Sequence, residues 1–140
     1  MAPQAKPQPT VTVTLPIPAR SLSPNARVHW AARSKARGHQ RNTAKFEAIF
    51  AMSTTPCPYK FRWPAASILV RWYGKTAHCL RLDADNIIGS LKGAVDGLAD
   101  AGLIADDRGV TWLPPVRAVD KANPRVELIV TKTEPEKGTP

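Results

Sequence analysis

The chain has 140 residues, enough for one domain with a single modest core. A hydrophobic content of 43% excludes wholesale disorder, and no apolar run approaches the roughly 18 residues of a membrane span. Charge is the outlier. Residues 1–82 hold 13 basic residues and one acidic (net +12), residues 83–140 hold 7 basic and 10 acidic (net −3), and the total of +9 favours a polyanionic partner.

The first nine residues carry Pro and Gln where a secretory leader would be apolar, and Cys57 and Cys79 are too few for a disulfide framework. A reduced, cytoplasmic setting is expected. Residues 1–9 and 133–140 read as disordered tails around a domain at 10–132. Alternation of threonine with Val11, Val13 and Leu15 predicts a half-buried strand, stopped by Pro16 and Pro18. A loop with Ser23, Pro24 and Asn25 leads into a basic segment: Arg27, Arg33, Lys35, Arg37, Arg41 and Lys45. No carboxylate interrupts it, so phosphate contacts are expected there. Trp30 within it is open to two readings, core packing or stacking on an unpaired base.

From about Asn42, the spacing of Phe46, Ile49 and Phe50 predicts a helix with an apolar face, closed by Thr54, Thr55 and Pro56. A second strand follows at Ser67 to Tyr73, with Ile68, Val70 and Trp72 on one face. The clearest helix is predicted as one piece from Asp85 to Ile104. Ile87, Leu91, Ala94, Val95, Leu98 and Gly102 share one side of it, with Asp85, Lys92 and Asp96 opposite. Two strand candidates close the chain, Thr111 to Val119 and Arg125 to Thr131. Pro114 and Pro115 give the first an edge position or a bulge. The expected fold is α/β (α+β): a single domain with one mixed sheet of about four strands and two main helices, in the order β-α-β-α-β-β.

Acid is scarce before Asp83, where Glu47 stands alone, and then arrives as Asp83, Asp85, Asp96 and the pair Asp106-Asp107. Helix capping explains Asp83 or Asp85 but not both. It does not explain Asp106-Asp107, because a helix C-terminus disfavours negative charge. Hard carboxylate oxygens placed against stability suggest Mg²⁺ ligands beside a phosphate-binding surface. An EF-hand is excluded, since Ile87 takes the third ligand position and Ile88 the place of the turn glycine. Lys92 can form an i,i+4 ion pair with Asp96 or meet phosphate charge, and position alone leaves both open.

Asp83-Ala84-Asp85-Asn86, Lys92, Asp96 and Asp106-Asp107 together form a pattern that resembles the RusA-type Holliday junction resolvases, endonucleases of bacteria and their phages. Leu15-Pro16-Ile17-Pro18, Asn25 and the closing strand from Arg125 extend the likeness over residues 10–132. The resemblance implies a homodimer that resolves four-way DNA junctions by Mg²⁺-dependent phosphodiester hydrolysis in recombination and repair. It implies Asp83, Asp85 and Asp107 as metal-binding catalytic residues and Lys92 as the catalytic lysine. Asn25, Arg27, Arg33, Lys35, Arg37 and Arg41 are the expected DNA-binding residues. In one departure, Lys92 follows Asp85 by seven residues where some members have four, a helical rise of about 10.5 Å rather than about 6 Å. A non-catalytic DNA-binding protein and a nuclease for other branched DNA remain open. A single helix over 86–104 would also hold Asp107 about 28 Å from Asp83 and Asp85. A site composed from two subunits is expected on that ground, the alternative being an early helix break at Gly89 or Gly93 that lets the aspartates meet in one chain.

Overall fold

The computed structural model describes residues 8–56 and 60–134. Most of both expected tails, and Cys57, lie outside the described residues. Those tail residues that are described take part in the backbone network. Lys132 N–H donates to the Pro9 carbonyl and Thr133 N–H to the Ala65 carbonyl, each at 3.0 Å.

β1 (Thr10–Leu15) buries Val11, Val13 and Leu15 and exposes its three threonines, as the alternation dictates. It lies at the edge of one mixed sheet, antiparallel to β5 (Arg125–Lys132). β5 in turn pairs antiparallel with β2 (Ala66–Gly74). The far side of β2 is shared by two short parallel strands. β3 (Val110–Trp112) joins its first half and β4 (Val116–Val119) its second. These two replace the single strand expected from Thr111 to Val119. Pro114 and Pro115 lack the N–H that a continuous ladder would need, so the sheet has five strands.

The inward side chains of β1, β2 and β5 form one core with α1 (Trp30–Thr54), α2 (Ala84–Gly89) and α3 (Lys92–Asp100). α1 begins twelve residues before the predicted start, because the basic segment is itself helical. His29 caps it, its Nδ1 accepting from Ala31 N–H at 3.2 Å. Its apolar stripe also faces the other way from expectation. Phe46, Ile49 and Phe50 are exposed, while Ala44, Ala48 and Ala51 face the core. α1 crosses α3 too closely for large side chains: a Cβ at Gly97 would meet the Arg41 carbonyl oxygen and approach Ala44 Cβ to 2.8 Å.

The helix predicted over 85–104 is broken. α2 ends at Gly89, Leu91 takes φ −110° and ψ 8°, and α3 starts afresh at Lys92. No side chain at Leu91 caps this new start. Gln40 of α1 does so instead, its Oε1 accepting from Ala94 N–H at 3.1 Å while Nε2 donates to the Ser90 carbonyl at 2.8 Å. α3 then stops at Asp100, and Gly102 turns the chain with φ +82°. Residues 102–105 run back along 62–63. Arg62 N–H bonds the Gly102 carbonyl at 2.8 Å, and Ala105 N–H bonds the Trp63 carbonyl at 2.9 Å. Among the described residues, no helix is long and apolar enough to cross a membrane.

Candidate active-site cleft

The helix break and the chain return make the site. Lys92 becomes the first residue of α3 and Asp96 lies one turn on. The returning chain ends in a 3-10 turn at Asp107–Gly109, just before β3. Within the pair, Asp106 spends its carboxylate on that turn, Oδ1 accepting from Arg108 N–H at 2.7 Å. Asp107 is left to face a cleft of about 330 Å³, whose walls are Arg37, Lys92, Val95, Asp96, Asp107, Val110 and Trp112. A second hollow of about 200 Å³ adjoins it, with Arg37 and Lys92 common to both and Arg33, Pro24 and Gln40 beyond them. The two form a basic approach leading to an acidic floor.

Lys92 and Asp107 therefore meet within one chain. The unbroken helix behind the expectation of a two-subunit site is corrected, yet Asp83 and Asp85 stay outside the cleft that Asp107 lines. The spacing concern about Lys92 falls with it, since Asp85 and Lys92 belong to different helices. Asp83 and Asp85 do not line the cleft. Asp83 takes the N-cap position of α2 without a side-chain capping bond, and Asp85 is exposed in the first turn. Among the described residues, no group of three or more His, Cys, Asp or Glu side chains is arranged to hold a metal ion.

The carboxylates divide by partner. Asp100 receives two bonds from Arg41, Nε–Oδ2 at 2.6 Å and Nη2–Oδ1 at 2.8 Å. Hydrogen bonding from Arg41 holds the Asp100 carboxyl below its ordinary range and raises the Arg41 guanidinium. Asp120 is likewise lowered, first by the bond from Arg125 and then by the Asn123 N–H. Arg125 also reaches Glu127 at 3.2 Å. The carboxylates of Asp83, Asp85, Asp96 and Asp107 have no hydrogen bond or ion pair among the described residues, so the Lys92–Asp96 pair that spacing left open does not form. In a chain of net +9, these acids stand open while cations are plentiful.

The basic residues divide in the same way. Arg33 pins the preceding loop through Nη2, which donates to the Ala26 carbonyl at 2.7 Å. Arg41 is held by Asp100. Asn25, Arg27, Lys35 and Arg37 are exposed. Trp30 is 76% exposed, which settles its placement outside the core.

No protein-family model matches the sequence. The chain is 37% identical over 123 residues to an uncharacterized protein of Xylella fastidiosa (strain Temecula1), covering 87% of its own length and 75% of that protein. The chain belongs to that protein's family. A match of such length in 140 residues necessarily spans 37–112, the stretch that supplies the walls of the cleft in this chain. Two contributors escaped sequence reasoning. Asp96 belongs to the acidic pattern but was given no site role, though its place one turn after Lys92 was a usable signal. Gln40 carried none, because its role depends on a helix fifty residues away.

Proposed function

We propose that this protein is a Mg²⁺-dependent endonuclease acting on branched DNA as a homodimer, with four-way junctions as substrate, in the cytoplasm where that DNA resides. The observation that carries the reading is the cleft itself. Lys92 and Asp107, which the RusA-like pattern marks as catalytic, converge there with Arg37 and Asp96, and none of the four is spent on an internal ion pair. The donor chemistry fits Mg²⁺, which takes hard oxygens and commonly needs only one or two carboxylates, with water and phosphate completing its shell. Asp96 and Asp107 supply two such groups in the cleft, and Asp83 and Asp85 remain unengaged at the start of α2. When bound, Mg²⁺ supplies Lewis-acid polarisation of a phosphate and acidification of water.

The chain's own residues do the rest. Arg37 and Lys92 offset phosphate charge at the mouth, and the exposed Arg27, in the loop before α1, and Lys35, on another face of α1, add to the positive field. Lys92, exposed at the head of α3, reaches a phosphate whose ester bond lies over Asp107. Val95, Val110 and Trp112 complete the lining of the cleft with apolar side chains. A homodimer agrees with the exposed stripe Phe46, Ile49 and Phe50 and with the open edge of β1.

The test is nicking of a synthetic four-way junction against linear duplex, with and without Mg²⁺. Wild type should nick the junction only with the metal, and Asp107→Asn and Lys92→Ala should not. Junction affinity should be equal or higher in Asp107→Asn, which removes negative charge. Junction binding without nicking would assign the chain to non-catalytic DNA-binding proteins. Equal nicking of flaps and junctions would assign it to nucleases of broader branched DNA. Loss of nicking in Asp96→Asn but not in Asp83→Asn or Asp85→Asn would place the metal on the cleft pair alone.

A further inference from the structure

Trp30 is on the wrong side of its helix for an exposed residue. At 100° per residue, Trp30, Arg33, Arg37, Ala44, Ala48 and Ala51 fall within about 60° of one another on α1. The last three are buried against the body, and on that same stripe Trp30 is 76% exposed. The stripe runs inward along the whole helix, but the body beneath it ends before the N-terminal turn. α1 overhangs the body at Trp30, and further along the same stripe Arg33 and Arg37 line the hollow that adjoins the cleft, Arg37 lining both.

We propose that this overhang seats one strand of DNA, with an unpaired base stacked on the Trp30 indole and the adjoining phosphates led past Arg37 into the cleft. The inference rests on the nucleic-acid reading of that cleft and adds a ligand subsite to it. Three observations identify the occupant. Residues 8–46 contain seven Lys and Arg and no carboxylate, so the surface around Trp30 complements a polyanion and repels a basic second copy of itself. The first turn of α1 has no acidic residue, and His29 lies beside the indole with ring centroids 5.6 Å apart, which props its orientation. Trp30 is also seven residues from Arg37, about 10.5 Å along the axis, the length of about three stacked nucleotides. An indole face takes any base, so the subsite selects for a base freed from pairing rather than for sequence. Paired bases in linear duplex present no free face, whereas the centre of a branched molecule does.

The test uses the full chain with three labelled probes: single-stranded oligo-dT, a linear duplex of the same length and a four-way junction. Affinity is measured at several salt concentrations, alongside intrinsic tryptophan emission. Oligo-dT should quench wild-type emission, and Trp30→Phe should abolish the quench while keeping most of the affinity. Trp30→Ala should weaken oligo-dT and junction binding by about 5- to 150-fold, the range for one stacked base, and leave duplex binding nearly unchanged. Its salt slope should match wild type, since no cation is lost. Both variants should melt as wild type does, because the side chain packs on little. An equal loss on duplex, an unquenched wild type, no binding of oligo-dT, or a Trp30→Ala effect on self-association instead of DNA would each overturn the proposal. Nicking read on the same samples separates the two claims. Quenching without nicking leaves the stacking subsite standing and removes the nuclease. Nicking without quenching removes the subsite alone.

Discussion

One helical turn separates Arg37 from Arg41, yet the two guanidinium groups have different company. Arg37 lines the cleft, while Arg41 grips Asp100 through two bonds of 2.6 and 2.8 Å. A cation already neutralised by a carboxylate adds little counterion release when it meets phosphate. Arg27→Ala, Lys35→Ala and Arg37→Ala should therefore each flatten the salt dependence of DNA binding by about one unit of slope, and Arg41→Ala by much less. Identical slopes for the Arg37 and Arg41 variants, measured by anisotropy over a salt series, would dismiss this partition. The Arg41–Asp100 pair also sets a pH response. Its hydrogen bond depresses the Asp100 carboxyl in the folded state. The pair's contribution is therefore complete above the unfolded carboxylate value, near pH 4, and disappears as pH falls through the lower folded value. Denaturation of Asp100→Asn and wild type should differ most at neutral pH and converge in acid. The amplitude is small, because both side chains meet solvent. A gap that widened in acid would contradict the assignment.

The crossing of α1 and α3 positions Arg37, Lys92, Val95 and Asp96 in the cleft, and two glycines separate its packing from helix propensity. Gly97→Ala would press a methyl group into the Arg41 carbonyl, so it should destabilise the fold by about 1–3 kcal/mol even though alanine favours helix. Gly38 lies in the same α1 with nothing within 4 Å of an added Cβ, so Gly38→Ala should stabilise by about 0.5–1 kcal/mol. Urea titration should give shifts of opposite sign, and two shifts of one sign would mean the crossing is looser than described. What the sequence could disclose at this level follows from range. The strands β1, β2 and β5 were legible because alternation is a property of neighbours, and their burial follows it residue by residue. The break before Lys92 was not legible, since its cap comes from Gln40, 54 residues from the amide it satisfies. The inverted stripe of α1 was misleading for a related reason. Large apolar side chains at Phe46, Ile49 and Phe50 show which residues need cover, not which surface provides it, and close packing on α3 demanded alanines instead. In the cleft, Lys92 and Asp107 were legible as a motif. Their sharing one cleft depended on the break after Gly89, weighed only as the alternative, and on the return through Gly102.

At the scale of the whole molecule, one flank is unfinished. Among the described residues, β1 offers an open edge of six residues with no charge or proline inside it, the devices by which soluble sheets guard an edge. Beside that edge, Thr12 and Thr14 share a hollow with Glu47 and Phe50 of α1. Phe46, Ile49 and Phe50 are 64%, 44% and 67% exposed, together roughly 300 Å² of apolar surface per chain. Doubled across a twofold axis, this falls short of the ~1,200 Å² of a small stable interface, and pairing of the two β1 edges with the threonine hollows supplies the kind of surface that is missing. On the proposed homodimer, a second copy would cover this flank by pairing the two β1 edges. Trp30 lies on another face of α1 from Phe46, Ile49 and Phe50, so such a dimer would leave each cleft open. Phe46→Glu combined with Phe50→Glu should weaken self-association by at least about 100-fold, since each buried Phe contributes about 1.5–3 kcal/mol. Sedimentation should show a wild-type dimer and a monomeric variant with an unchanged unfolding transition. On a four-way junction, that variant should still make single nicks while losing the paired, simultaneous cuts. A wild type that stays monomeric at every concentration would reassign the flank to a different partner. A monomeric variant that still cut in pairs would show that pairing of the cuts does not need this interface.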